Sequence, residues 1–314
     1  MKHWAQNGFK ALTSAWVWAL LATVAWSQTL TWLGVLPGGN DSWARGVSAN
    51  GVVVGMAINA AGQLHAFRWT ASGGMRDLGT LGGDRSEASG VSADGAVVVG
   101  WAQNAAGQRR AFRWTASGGM QNLGTLGGRS SMANAVSADG RVVVGWADNS
   151  SGRRRAFRWT AAGGMRDLGT LPGGRSSAAF GVSADGSVVV GKAQNAAGQW
   201  RAFRWTAAGG MRDLGTLPGG NESWASDVSA DGRVVVGRAY NGAGEWRAFR
   251  WTASGGMEDL NITYANLLTN GSVLFNAFAI SPNGRYIVGA GYNAATGRIE
   301  AFLLDTGFPR RGGM

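Results

Sequence analysis

GVSADGAVVVGWAQNAAGQRRAFRWTASGGMQNLGTLGG, residues Gly90 to Gly128, is one copy of a phrase that the chain repeats six times at a period of roughly 45 residues. Its Val-Ser pair returns at Val47, Val91, Val136, Val182 and Val228, with Ile280 as the sixth. Its Ala-Phe pair returns at Phe67, Phe112, Phe157, Phe203, Phe249 and Phe302. The closing Leu-Gly-Thr-Leu follows at Leu78, Leu123, Leu168 and Leu214, and weakly at Leu260. The sixth copy lacks it, whereas Thr31-Trp32-Leu33-Gly34-Val35-Leu36 precedes the first.

Within each copy the turn chemistry marks four short strands. Ala-Asp-Gly (or Asn-Gly) between apolar runs is a hairpin signal, because glycine supplies the positive φ of the turn. The Val-Val-Val-Gly run is β-branched and fits a strand buried on both faces. Arg-Ala-Phe-Arg-Trp-Thr alternates, so Phe112 and Trp114 share one face. A loop over residues 71 to 74 would pair Thr70 with Met75 and set Arg68 opposite Asp77, with the same pairing for Arg158 and Asp167, Arg204 and Asp213, and Arg250 and Asp259. Such opposite charges contribute roughly 0.2–1 kcal/mol per pair. The fourth piece runs on to the Leu-Gly-Thr-Leu phrase.

Four strands per repeat is the format of a β-propeller blade. The expected fold is all-β: a six-bladed β-propeller of four-stranded blades over residues 28–306, its ring closed by an N-terminal strand at residues 30–36 that completes the last blade. The alternative is an open β-solenoid, which leaves that first phrase unpaired and exposes two sheet ends.

The flanks read differently. Residues 1–27 have a basic start (Lys2, His3, Lys10), a largely apolar run from Ala11 to Ala25, and Ala25 and Ser27 at the −3 and −1 positions of a cut before Gln28. A secretory signal peptide is expected there, a C-terminal tail at 307–314, and a secreted, surface or periplasmic location with no membrane span after cleavage. Net charge is +11, and loss of Lys2 and Lys10 leaves +9, nearly all arginine. Arginine forks suit carboxylates and phosphates, so anionic partners are favoured.

The phrases resemble those of the HAF-repeat family of extracellular bacterial proteins. His65-Ala66-Phe67 is the literal triplet; the other copies read Arg-Ala-Phe, or Glu300-Ala301-Phe302. Val-Ser-Ala-Asp-Gly, Val-Val-Gly, Arg-Trp-Thr and Asp-Leu-Gly-Thr-Leu also match, over residues 30 to 305. The resemblance implies export and a repetitive β fold, and carries over no catalytic residue.

Chemistry is sparse in the repeated positions. There is no cysteine, and His65 is the one histidine outside the leader, so neither a zinc site nor a Ser-His-Asp triad is built. The Asp of Ala-Asp-Gly lacks the alternating ligands of a calcium loop, and Gly127-Gly128 precedes no helix that would cradle a phosphate. No cofactor or metal is expected. Five tryptophans, Trp69, Trp114, Trp159, Trp205 and Trp251, belong to core strands, which argues against base stacking and nucleic acid.

The positions that vary between copies are more informative. Strand alternation puts the crossings between repeats and the second-to-third hairpins at one end. Rim candidates there are Trp43, Arg85, Trp101, Arg129, Trp146, Arg175, Trp224 and Tyr240. Aromatic, basic and amide groups together suit sugars, so the expected function is a non-catalytic binding or structural module for a glycan or envelope protein. The alternative is an exported propeller enzyme, a lyase or hydrolase, with Glu87, Glu222 and Asp227 as acidic suspects at a channel mouth.

Overall fold

A computed structural model describes residues 30–268 and 270–307. The chain divides into two compact units, residues 1–32 and 33–314, and all the sheets belong to the second. The expected leader and the end of the tail lie outside the described residues. Among the described residues no helix is long and apolar enough to cross a membrane.

Each repeat forms one antiparallel sheet whose strands lie in chain order. The first sheet is Ser42–Val47, Val53–Ile58, Leu64–Thr70 and Gly74–Asp77; the second is Gly82–Val91, Val97–Asn104, Arg109–Thr115 and Gly119–Asn122. The third is Gly127–Val136, Val143–Asn149, Arg154–Thr160 and Gly164–Asp167; the fourth is Ser177–Val182, Val188–Gln194, Trp200–Thr206 and Gly210–Asp213. The fifth is Ser223–Val228, Val234–Tyr240, Trp246–Thr252 and Gly256–Asp259. The sixth has three strands, Val273–Ile280, Tyr286–Asn293 and Arg298–Asp305, and a short helix, Leu260–Thr263, leads into it. The array is all-β and β-propeller-like.

Consecutive sheets stack face to face through the repeated apolar positions. Between the second and third sheets, for example, Val99 and Ala111 meet Ala133, Val143, Ala147, Phe157 and Trp159. Phe67, Phe112, Phe157, Phe203 and Phe249 are all fully buried. Each phenylalanine ring needs a glycine opposite it in the second strand: Gly55 pairs with Phe67 and Gly237 with Phe249. A side chain there would also strike the first strand, since a Cβ on Gly191 would lie 2.0 Å from the Ala178 carbonyl oxygen.

A buried serine stitches each of the second to fifth sheets to the one before. Ser86 Oγ accepts the Ala66 N–H (2.8 Å) and donates to Gly79 O (2.6 Å). Ser131, Ser177 and Ser223 repeat both bonds, to Ala111, Ala156 and Ala202 and to Gly124, Gly169 and Gly215. Each of these serines is fully buried. The turns are stitched too: Ala93 N–H donates to Ala138 O, Ala138 to Ala184, and Ala184 to Ala230, each at 3.0 Å.

Two expectations are corrected. The loop between third and fourth strands has three residues, 71–73, because Gly74 takes φ +64° and pairs with Thr70, whose Oγ1 accepts the Gly73 N–H. The register therefore shifts by one, and Arg68 faces Arg76, Arg158 faces Arg166 and Arg204 faces Arg212, while Arg250 faces Glu258 and bonds it. Two of the aspartates bond elsewhere on the third strand, Asp77 to His65 Nδ1 (2.8 Å) and Asp213 to Arg201 (3.1 Å), while Asp167 and Asp259 accept the N–H groups of Gly169 and Asn261.

The second correction concerns residues 30–36, which form no strand. In the first five repeats the fourth strand is Gly-Met-X-Asp or Gly-Met-X-Asn, and in the first four it ends before Leu-Gly-Thr-Leu. That phrase is a crossing, turned by a glycine at positive φ (Gly34 +75°, Gly79 +73°, Gly124 +81°). Leu33 to Leu36 keep the crossing's role: Gly34 O accepts from Ser42 Oγ at 2.8 Å, and Leu36 is buried against Phe67. Among the described residues the first and sixth sheets do not pack on one another.

Candidate active site

The crossings and the second-to-third hairpins do lie at one end of each sheet, as Tyr240 N–H to Glu222 O and Gln194 N–H to Ser176 O demonstrate. At that end the residue after Val-Val-Val-Gly projects toward the next sheet, and it is the position that the repeat leaves free. It is Met56, Trp101, Trp146, Lys192 and Arg238 in the first five sheets. The diagonal neighbour on the third strand, two residues before the Ala of Ala-Phe, is equally free: Leu64, Arg109, Arg154, Trp200 and Trp246.

These two free rows interleave cations with rings. The Arg109 guanidinium lies 4.2 Å from the Trp101 ring centre, and that of Arg154 3.7 Å from Trp146. The cluster is densest between the fourth and fifth sheets. Lys192 Nζ sits 3.4 Å from the Trp224 ring and 4.6 Å from Trp200. Arg238 lies 4.0 Å from Trp224 and 4.3 Å from Trp246, and Tyr240 stacks on Trp246 at 3.9 Å. Desolvation, with Arg238 and Arg154 nearby, lowers Lys192 to about 8, and the Glu222 carboxylate opposes that shift. Burial also lowers Arg238. Two N–H donors here are buried without a partner, Trp224 Nε1 and Arg238 Nε. Native interiors leave few such donors unmatched, because each costs about 1–3 kcal/mol.

Of the rim residues read from sequence, the structure gathers Trp224 and Tyr240 into this cluster and places Trp101 and Trp146 in the same row, each under its arginine. Trp43 is 45% exposed at the start of the first sheet. Arg85 and Arg129 are exposed near the start of the first strands of the second and third sheets, Arg175 is exposed on a crossing, and their side chains form no ion pair or hydrogen bond with the described residues. The acidic suspects are separated. Glu87 bonds Arg45 and Trp101 Nε1, Glu222 lies by Lys192 and Arg238, and Asp227 bonds the Ile280 and Val228 N–H groups in the joint between the fifth and sixth sheets. Sequence reading passed over Trp200, Trp246, Arg109 and Arg154. Their signal was available, since this third-strand position alone takes four residue types across the six copies.

At the opposite end a groove of about 1050 Å³ is lined by Arg204, Arg212, Asp231, Arg233 and Trp251, with a smaller counterpart of about 580 Å³ around Arg113 and Arg158. Its residues belong to the repeat, and two of its three arginines are already engaged, Arg204 Nε donating to Gly232 O at 3.2 Å and Arg233 pairing with Asp231 at 3.8 Å.

No protein-family model matches the chain, and no curated protein sequence does. Solved structures are similar in fold. One from a study of two prolyl endopeptidases aligns over 85% of this chain and 41% of its own, at 13% identity and a TM-score of 0.55. A puromycin hydrolase aligns over 85% of this chain and 44% of its own, at 18% identity and a TM-score of 0.55. The acylaminoacyl peptidase of Pyrococcus horikoshii aligns over 84% and 45%, at 10% identity and a TM-score of 0.51. The chain thus spans under half of the length of each of these enzymes. These hydrolases overturn the expectation of a non-catalytic module for glycan or envelope ligands.

Proposed function

We propose that this chain is a hydrolase of β-propeller type, that its reaction site is the Lys192–Trp224–Arg238 cluster, and that its substrate carries a carboxylate. The observation that carries the reading is a lysine whose pKa of about 8 makes it a base near neutrality, set beside two unpartnered N–H donors. In this reading the neutral Lys192 Nζ takes a proton from water as the water oxygen bonds to the acyl carbon. The oxyanion so formed accepts from Trp224 Nε1 and Arg238 Nε, buried donors that substrate binding uncovers. Collapse breaks the bond to the leaving oxygen or nitrogen, which receives the proton from Lys192. Arg154 holds the substrate carboxylate, Trp200 and Trp246 flank the body of the substrate, and Glu222 orients the ammonium.

Export on residues 1–27 belongs to the same reading, supported by their basic start, apolar run and small residues before Gln28. So does kinship with the HAF-repeat proteins, supported by the phrases quoted above, and so does a count of six blades, one for each sheet.

The test is turnover of a panel of carboxylate-bearing chromogenic esters and peptide anilides by the purified protein. Rate should rise with pH and level off above about 8, the point at which Lys192 loses its proton. Lys192→Arg keeps the charge but cannot serve as the base, and should lower kcat by about 10²-fold or more. A panel with no turnover, or a Lys192→Arg variant with the unchanged rate and pH profile, refutes the proposal.

A further inference from the structure

The two ends of the array are unlike the joints between them, and unlike the ends of a protein built to stand alone. Terminal repeats of stacked folds usually present a polar outer face. Here the sixth sheet presents the reverse. Its outward face carries Tyr286, Val288, Ile299, Ala301 and Leu303, with Val288 42%, Ile299 72% and Leu303 68% exposed. The counterparts of Val288 in the other sheets (Val54, Val99, Val144, Val190, Val236) are fully buried. Leu303 stands where each other repeat has an arginine, such as Arg113 or Arg204.

The first sheet is open in the complementary way. Ala44 is exposed, whereas Ala88, Ala133, Ala179, Ala225 and Ala277, which occupy its place, are fully buried under the preceding sheet. Val47 is 68% exposed and its counterpart Val228 only 5%. Ser42 already donates to Gly34 O, the outgoing half of the serine stitch, but no preceding Ala N–H reaches its oxygen. The sixth sheet has that alanine, Ala301, on an exposed edge strand.

We infer that the sixth sheet of one copy of this chain docks on the first sheet of a second copy, head to tail, using the joint that the chain uses internally. Ala301 N–H of one copy donates to Ser42 Oγ of the other, and Ala44 and Val47 cover Val288, Ala301 and Leu303. Within one chain the joint would need a different step between sheets, since five joints built from nearly the same residues leave the first and sixth sheets unpacked. A second copy carries no such constraint. Pro282 tempers the joint: it fills the turn position from which Ala93, Ala138 and Ala184 each donate an N–H, and it has none. The copy–copy joint is therefore weaker than the internal ones and depends on concentration. The contact joins two different faces at every step and is therefore heterologous, which gives rings or open chains.

Sedimentation velocity of the full chain across concentrations tests this, together with Val288→Arg and Ala44→Arg. Both sites are exposed here, and their counterparts in every internal joint are fully buried. Wild type should sediment as a series of multiples of one chain, each variant alone as a single chain. An equimolar mixture of the two variants should give a species of two chains and nothing larger, since it holds one intact end of each kind. A wild type that stays single at every concentration, as it would if its own ends joined, overturns the inference. So does association untouched by either substitution, or a mixture that stays single.

Discussion

Asp227 should make the protein less stable as pH rises from about 4.5 to 7, the opposite of ordinary acid denaturation. It stands at the first-strand bulge of the fifth sheet, where the other copies have Gly46, Gly90, Ala135, Gly181 and Ala279. Its carboxyl reaches into the joint with the sixth sheet, accepting the Ile280 N–H at 3.0 Å and the Val228 N–H at 2.8 Å. Burial raises it from 3.8 to about 6, the two N–H donors only partly opposing the shift. Two pK units correspond to about 3 kcal/mol. The sign follows from the folded state holding the proton more tightly than the unfolded chain: the contribution is complete below about pH 4 and is lost as pH passes 6. Roughly 2 of those 3 kcal/mol fall between pH 4.5 and 7. The lowered aspartates, such as Asp185 at about 2, act in a separate window: their contribution is present above 3.8 and fades as pH falls toward their folded value. Denaturant unfolding at half-unit pH steps would measure the slope, beside an Asp227→Ala variant that restores the residue type of the other copies. The variant starts from a lower stability, because the Ile280 and Val228 N–H groups lose their acceptor, but its slope from pH 4.5 to 7 should be flat. Equal slopes in the two proteins would refute the assignment of this titration to Asp227.

Two further outcomes follow from the repeat geometry. Gly191→Ala would put a Cβ 2.0 Å from the Ala178 carbonyl oxygen and 2.8 Å from the Ala179 Cα, so the fourth sheet must open; a loss of about 3 kcal/mol or more in thermal unfolding is expected, at the upper end for overpacking. Arg166→Glu replaces the Arg158–Arg166 facing pair with the arrangement already present as Arg250–Glu258. It should raise stability by roughly 0.2–1 kcal/mol and lessen any gain from added salt, as read from denaturant midpoints at two ionic strengths.

The sheets, their hairpins and the grouping of two loop sets at one end were legible in the sequence, because Asp-Gly turns and the Val-Val-Val-Gly run bear on backbone conformation directly. The register of the fourth strand was not. It turns on Gly74 pairing with Thr70 instead of sitting in the loop, and a glycine pair such as Gly73-Gly74 allows either choice until positive φ is assigned to one of them. Leu-Gly-Thr-Leu has the apolar spacing of a strand, but its glycine at positive φ ends the ladder, so the phrase stitches sheets through its carbonyl oxygen and does not extend one. Of the cluster, the second-strand residues Lys192 and Arg238 and the first-strand Trp224 were visible as departures from the repeat. Trp200 and Trp246 were hidden by lying so near the recurring Ala-Phe pair, which draws the eye to what is constant.

The serine stitch bears on how such a chain can lengthen or shorten. Because Ser86, Ser131, Ser177 and Ser223 each hold an alanine amide and a glycine carbonyl of the unit behind, a segment excised or duplicated between equivalent points would leave every remaining seam chemically unchanged. The last seam is the exception: Asp227 reaches forward to Ile280, and Asn261 holds Leu274 through both its amide nitrogen and its oxygen. Gain and loss of units is thus free up to the fifth, while the fifth and sixth must be inherited as a pair.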